Sequence, residues 1–186
     1  MTLRYLPNVL SLARVAFIVP FLIFIAQHNY VYAFYIFLLS GFTDGLDGWL
    51  ARYFHWNSAF GSLIDPVADK LLIVSSFIAL ACIGVLPWWL VVLVFLRDIT
   101  ISVGVVVWYY LLQSIIDFKP TYLSKFNTVL QLALVTLCLF KLAFMSVPTY
   151  LLDLLIIITT VTTATSYLDY VWTWSYKAYT FRAHIK

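Results

Sequence analysis

The stretch Val15–Thr43, VAFIVPFLIFIAQHNYVYAFYIFLLSGFT, contains no Asp, Glu, Lys or Arg. Its polar break, Gln27-His28-Asn29, divides it into two apolar runs. A helix needs roughly 20 apolar residues to cross the ~30 Å hydrocarbon core of a bilayer, and these runs approach that length. A spanning segment must satisfy its own backbone, which leaves helices or closed barrels. The even alternation and turn signals of an outer-membrane barrel are missing, so the runs read as helices.

The same pattern continues outward. Leu71–Leu96 is free of charge and is divided by Gly84 and Pro87. Beyond Arg97-Asp98 the apolar pattern resumes to Leu112, and two further runs are parted by Met145-Ser146-Val147-Pro148. The expectation is an all-α integral membrane protein with six transmembrane helices, at about 8–27, 30–53, 59–84, 87–112, 124–145 and 148–172, forming a single membrane domain over residues 1–186. Composition agrees: 64% of residues are hydrophobic and 10% charged, against ~45–50% and ~25% in a soluble domain. That balance excludes a water-soluble globule and a disordered chain. A net charge of +3 does not suggest nucleic acid. Cys82 and Cys138 lie far apart in apolar runs, without disulfide or metal spacing, and read as free buried thiols.

Basic residues orient the bundle. Arg4 and Arg14 precede or open the first span, Arg52 lies in the second loop, Lys119 and Lys125 in the fourth, and Lys177, Arg182 and Lys186 in the tail. The first, third and fifth loops carry no Lys or Arg, which places both termini in the cytoplasm. The N-terminus has a basic start and an apolar core but no convincing small-residue cleavage site, and reads as an uncleaved first span.

All eight acids are aspartates, and Asp44, Asp47, Asp65 and Asp69 gather at the cytoplasmic end of helix 2 and the start of helix 3. Residues three or four apart share a helix face. Helices 2 and 3 are joined by a short loop and are expected to be antiparallel neighbours, so that the two pairs can converge on one site. Four carboxylates together repel and need positive charge to stay ionised; a hard divalent cation with oxygen ligands, magnesium first, fits that need. Intramembrane acids also serve proton relays or pair with cations such as Arg52, Lys70 and Arg97, but four acids at these spacings, interleaved with glycines, argue for metal. Gly41, Gly45 and Gly48 lie along the same side of helix 2. They serve either close helix packing or the near approach of a ligand.

The run Asp44-Gly45-Leu46-Asp47-Gly48-Trp49-Leu50-Ala51-Arg52, followed after eight residues by Gly61-Ser62-Leu63-Ile64-Asp65-Pro66-Val67-Ala68-Asp69, resembles the signature of the CDP-alcohol phosphatidyltransferase family, D-x2-D-G-x2-A-R-x8-G-x3-D-x3-D. Every fixed position is met. The resemblance implies a transferase of phospholipid biosynthesis that moves a substituted phosphate from a CDP-linked donor to an alcohol and releases CMP. It implies that Asp44, Asp47, Asp65 and Asp69 bind two divalent cations, Mg2+ or else Mn2+, with Asp69 also the general base. Gly45, Gly48, Arg52 and Gly61 would serve the CDP donor, and Arg14, Lys70, Arg97 and Lys125 are candidates for acceptor or phosphate contacts. A structural ion pair is the equal alternative for Arg97 and Asp98, since a charged pair near mid-span should face the interior. Lys125 could equally snorkel at the interface. Homodimerisation through helices 3 and 4 is also implied.

CDP-diacylglycerol is the expected donor, because the site would open into the membrane. The resemblance is to the branch that holds phosphatidylglycerophosphate synthases, which use glycerol 3-phosphate, and CDP-type cardiolipin synthases, which use phosphatidylglycerol. The former tend to carry Arg-Glu and a later Arg on helix 4, then two lysines one residue apart opening helix 5. Here Arg97-Asp98 is followed by Val105, and Lys125-Phe126-Asn127 replaces the second lysine with Asn127. Fewer cations suit a less charged acceptor, and the reading leans to phosphatidylglycerol. Neither the inverted repeats or broken helices of a transporter nor the widely separated acid motifs of an intramembrane prenyltransferase are present. Without an Arg- and Ser-rich transit segment before the first span, a bacterial inner membrane is expected rather than a mitochondrial one.

Overall fold

The computed structural model describes the backbone of residues 6–53, 61–112, 122–145 and 147–184, and side chains over 13–43, 70–104, 123–145 and 147–173. Among these residues all regular structure is helical: α1 (Leu6–Ala26), α2 (Tyr30–Tyr53), α3 (Gly61–Cys82), α4 (Trp88–Leu112), α5 (Tyr122–Ala143) and α6 (Thr149–His184). Number and order match the sequence reading, and most ends fall within two residues of it. The exception is α6, which runs on to His184 instead of ending near 172. Hydropathy falls there, but no Gly or Pro occurs between Thr173 and His184, so nothing local stops the helix. By length and composition, two segments are apolar enough to cross a membrane, Leu123–Ala143 and Thr149–Thr173.

The turns between helices are closed by backbone. Gly84 takes a left-handed conformation, φ 76°, while its amide donates to the Ala81 carbonyl at 3.0 Å and the Val85 amide to Leu80 at 2.9 Å. This caps α3 in the manner that favours glycine. The α1–α2 turn uses the same closure, with His28 at φ 59° in the glycine position and the Asn29 amide donating to Phe24 at 2.9 Å. Both cysteines are free, but only Cys138 is buried. Cys82 is the last residue of α3 and lies exposed at the turn, which corrects the expectation of two buried thiols.

Neighbouring helices close into a ring in the order α1, α2, α5, α6, α4, α3, and α3 and α5 also pack across it. Among the described residues α2 and α3 are linked through α1 and α5, each of which packs against both. The interior has two unlike halves. Toward the 27–29 and 83–87 turns and the end of α5 it is apolar, built on Phe21, Phe37, Phe77, Leu80, Leu90, Leu134 and Leu139, with the Phe21 and Phe37 rings 6.1 Å apart. Toward the other end the buried residues become polar: Arg14, Ser40, Arg97, Asp98, Asn127, Gln131, Thr159, Thr163 and Ser166. The outer faces are apolar on every described helix, from Val19 and Phe42 to Val92, Val129, Ile157 and Leu168, more apolar exposure than a soluble monomer carries.

Close approach of α4 and α6 depends on Gly104. A Cβ there would overlap the Tyr170 hydroxyl and lie 3.0 Å from ring carbon Cζ, and that hydroxyl donates to the Ile101 carbonyl at 3.2 Å. Gly104→Ala should cost about 1–3 kcal/mol through overpacking, read as a lowered unfolding temperature in detergent. Adding Tyr170→Phe, which removes the overlapping oxygen, should recover part of that loss.

Candidate functional site

α2 is unbroken from Tyr30 through Asp44 and Asp47 to Tyr53, and α3 is unbroken from Gly61 through Asp65 and Asp69. Helical geometry puts each pair on one face, separated along the axis by about 4.5 and 6 Å. The side chains of Asp44, Asp47, Asp65 and Asp69, with those of Gly45, Gly48, Arg52 and Gly61, lie outside the described residues. Among the described residues no three His, Cys or Asp side chains could share a metal ion. The four aspartates bring only oxygen ligands, a donor set suited to a hard divalent cation.

The best-defined chemistry lies at the polar end of the bundle, around Arg97. Its side chain is 4% exposed and pairs with Asp98 at 2.7 Å. The second terminal nitrogen donates to Ser124 Oγ on α5 at 2.6 Å and to Ser166 Oγ on α6 at 2.9 Å. One guanidinium therefore joins three helices, and the carboxylate beside it neutralises a charge that would be costly to bury alone. Lys70 couples α3 to the same point: its ammonium donates to the Asp98 carbonyl at 3.2 Å and to Ser102 Oγ at 2.5 Å. Because Lys70 follows Asp69 directly, this tether restrains α3 where the last motif aspartate emerges.

α5 and α6 meet along a ladder of polar pairs. Ser124 and Ser166 share Arg97 as the first rung. At the second, Asn127 Oδ1 accepts from Thr162 and Thr163, each at 2.9 Å. The Thr162 hydrogen can also turn to its own helix at Ile158. One turn along from Asn127 and Thr163 come Gln131 on α5 and Thr159 on α6. These are 1% and 0% exposed, and neither Gln131 Nε2 nor Thr159 Oγ1 has a hydrogen-bond partner. Asn127 Nδ2, Arg97 Nε and Ser40 Oγ are likewise buried without one.

Of the other basic residues read from sequence, Arg14 is fully buried, whereas Lys125 is exposed although its neighbour Ser124 reaches Arg97. Sequence reasoning passed over Ser102, Ser124, Gln131, Thr159, Thr162, Thr163, Ser166 and Tyr170. A signal existed for most of them: polar residues recur at helical spacing in otherwise apolar spans, at 124, 127 and 131 and at 159, 163 and 166.

Comparison with known proteins addresses the family. The model of CDP-alcohol phosphatidyltransferases matches residues 4–176. A probable phosphatidylglycerophosphate synthase of Mycobacterium tuberculosis is 38% identical over 104 residues, 53% of this chain and 50% of the relative. Human cardiolipin synthase (CMP-forming) is 32% identical over 183 residues, 89% of this chain and 60% of the relative. A chloroplastic CDP-diacylglycerol–glycerol-3-phosphate 3-phosphatidyltransferase of rice is 38% identical over 154 residues, 73% of this chain and 46% of the relative. The chain thus spans about half the length of the curated relatives it matches. With the aspartate signature complete on α2 and α3 and a family match running nearly from end to end, the chain belongs to the CDP-alcohol phosphatidyltransferase family.

Proposed function

We propose that this protein is a membrane-embedded transferase that moves the phosphatidyl group of CDP-diacylglycerol to a glycerol-type alcohol and releases CMP. The observation that carries the proposal is the complete aspartate motif on two continuous helices, within a chain matched by the family model over residues 4–176. Apolar outer faces support embedding by six spans, and the distribution of Lys and Arg supports cytoplasmic termini. A bacterial inner membrane and a homodimer complete the reading.

Asp44, Asp47, Asp65 and Asp69 would hold two divalent cations, Mg2+ first and Mn2+ second. When bound, these supply charge neutralisation on the donor diphosphate and on the departing CMP. Gly45, Gly48, Arg52 and Gly61 would receive the CDP end. Asp69 takes the proton of the acceptor hydroxyl as that oxygen bonds to the phosphatidyl phosphorus, and the phosphorus–oxygen bond to CMP breaks. The Lys70 tether to Ser102 and to the Asp98 carbonyl keeps α3 from rotating as the proton moves.

Phosphatidylglycerol is the acceptor we favour, which makes the product cardiolipin. Where a second lysine would suit glycerol 3-phosphate, Asn127 is neutral, fully buried and engaged by Thr163. Glycerol 3-phosphate is the alternative. The test is CMP release by purified protein with CDP-diacylglycerol and Mg2+, using phosphatidylglycerol, glycerol 3-phosphate, inositol phosphate or serine in separate reactions. Release with phosphatidylglycerol alone is expected; release with glycerol 3-phosphate alone would replace the acceptor but keep the chemistry. EDTA should abolish turnover and added Mg2+ should restore it. Turnover that survives chelation would rule out the metal-dependent mechanism.

A further inference from the structure

The largest fully buried side chain among the described residues is Arg14 on α1. A guanidinium in a protein interior is costly without an opposite charge beside it, so the bundle has to bring an acid to this point. α1 packs against α2 and α3, and the acids on those two helices are Asp44, Asp47, Asp65 and Asp69. The other described acids are placed elsewhere. Asp98 pairs with Arg97, while Asp153 and Asp169 are exposed on α6.

The register of α1 against α2 selects among the four. The two helices turn back on each other at 27–29, and ring pairs fix how they lie: Phe24 with Tyr32 at 5.3 Å and Phe21 with Phe37 at 6.1 Å between centroids. Seven residues make two turns and return a helix to nearly the same face. Arg14 precedes Phe21 by seven, and Asp44 follows Phe37 by seven. Moving about 10 Å along both helices from the Phe21–Phe37 contact therefore arrives at Arg14 on α1 and at position 44 on α2. Pro20 lies inside α1, but the helix runs through it, and Arg14 and Phe21 are both enclosed. On α2 the buried face continues from Phe37 to Ser40, one turn short of Asp44. A helix crossing of ~20° opens a gap of only ~4 Å over this distance, well within the reach of an arginine.

The chemistry of the guanidinium gives this placement a consequence. Its planar fork suits carboxylates and phosphates alike. Two divalent cations would balance four carboxylates, so a cation already seated among them must give way as they load. Arg14 is then a free positive charge at the depth of the donor diphosphate. Lys70 does not duplicate it, because its ammonium is turned to Ser102 and the Asp98 carbonyl on α4.

We propose that Arg14 pairs with Asp44 in the metal-free protein, yields that carboxylate to the divalent cation, and then binds the anionic diphosphate of the CDP-linked donor. The inference rests on the transferase reading above and deepens it: metal loading frees the residue that receives the donor.

The experiment titrates Mn2+ by electron paramagnetic resonance in detergent without substrate, for wild type, Arg14→Met and Arg14→Lys, and measures KM for donor and acceptor separately. Arg14→Met should bind Mn2+ about tenfold more tightly, since the competing charge-assisted hydrogen bonds are gone. Its KM for CDP-diacylglycerol should rise about tenfold while that for the acceptor stays unchanged. Arg14→Lys keeps the charge but loses the fork, so both changes should appear in smaller measure; it serves if the methionine variant does not fold. In EDTA, Arg14→Met should unfold at a lower temperature than wild type, and excess Mg2+ should remove the difference. Unchanged or weakened Mn2+ binding, an unchanged donor KM, or an equal loss of stability with and without Mg2+ would each overturn the proposal. These results would leave the transferase reading intact. Absence of CMP release from the wild type would overturn that reading instead, and the Mn2+ titration, which needs no turnover, would still test the Arg14–Asp44 pair.

Discussion

Asp69→Asn should lower CMP release by about 10²–10⁴-fold, the usual worth of a positioned general base, with helical content and unfolding temperature unchanged. Asparagine keeps the size and one carbonyl oxygen of the aspartate but cannot take up the acceptor proton. Because Asp69 would also bind metal, turnover alone does not separate the two roles. Mn2+ binding followed by electron paramagnetic resonance does so. A variant that binds Mn2+ as wild type does, yet releases almost no CMP, supports the base assignment. Near wild-type turnover with metal bound would remove it. Asp44→Asn should lose Mn2+ affinity along with turnover, since α2 then contributes a single carboxylate, Asp47, to that face.

The second large effect is on stability. Arg97→Met should destabilise the folded protein by about 3–5 kcal/mol, because it leaves the Asp98 carboxylate buried and unpaired. It also strips the bridging donor from Ser124 and Ser166, so α4, α5 and α6 lose their shared tie. Against the 5–15 kcal/mol of a typical fold, this is a large fraction, visible as a lowered unfolding temperature in detergent. The double variant Arg97→Met/Asp98→Asn removes both charges and should recover much of the loss. If Arg97→Met kept wild-type stability but raised the acceptor KM, Arg97 would be a substrate contact in place of a structural bridge.

These expectations show how unevenly the molecule could be read from its chain. The helices were legible because a bilayer admits so few backbone solutions: Gln27-His28-Asn29 and Gly84 mark turns whose hydrogen bonds close as such residues require. Their outer ends were less so, as α6 shows, because hydropathy reports the surroundings of a helix and not its length. That Arg97 and Asp98 are buried also followed from chemistry alone, since two adjacent charges in the middle of an apolar helix need the interior. What they pair with did not follow. Ser124 and Ser166 are 27 and 69 residues from Arg97, and no local pattern says which helices will be neighbours.

By itself, the sequence determined the helical architecture, the family and the placing of the four motif aspartates on two continuous helices, because spacing along one helix is a local property set by 3.6 residues per turn. Tertiary structure alone decided how α5 and α6 slide against each other. That register gives the Asn127 carbonyl oxygen the Thr163 hydroxyl and leaves Gln131 Nε2 and Thr159 Oγ1 without a bond. A shift of one turn would exchange these partners while leaving each helix's own hydrogen bonds unchanged. Whether a polar side chain finishes as a structural rung or an open donor is therefore settled only when the helices pack.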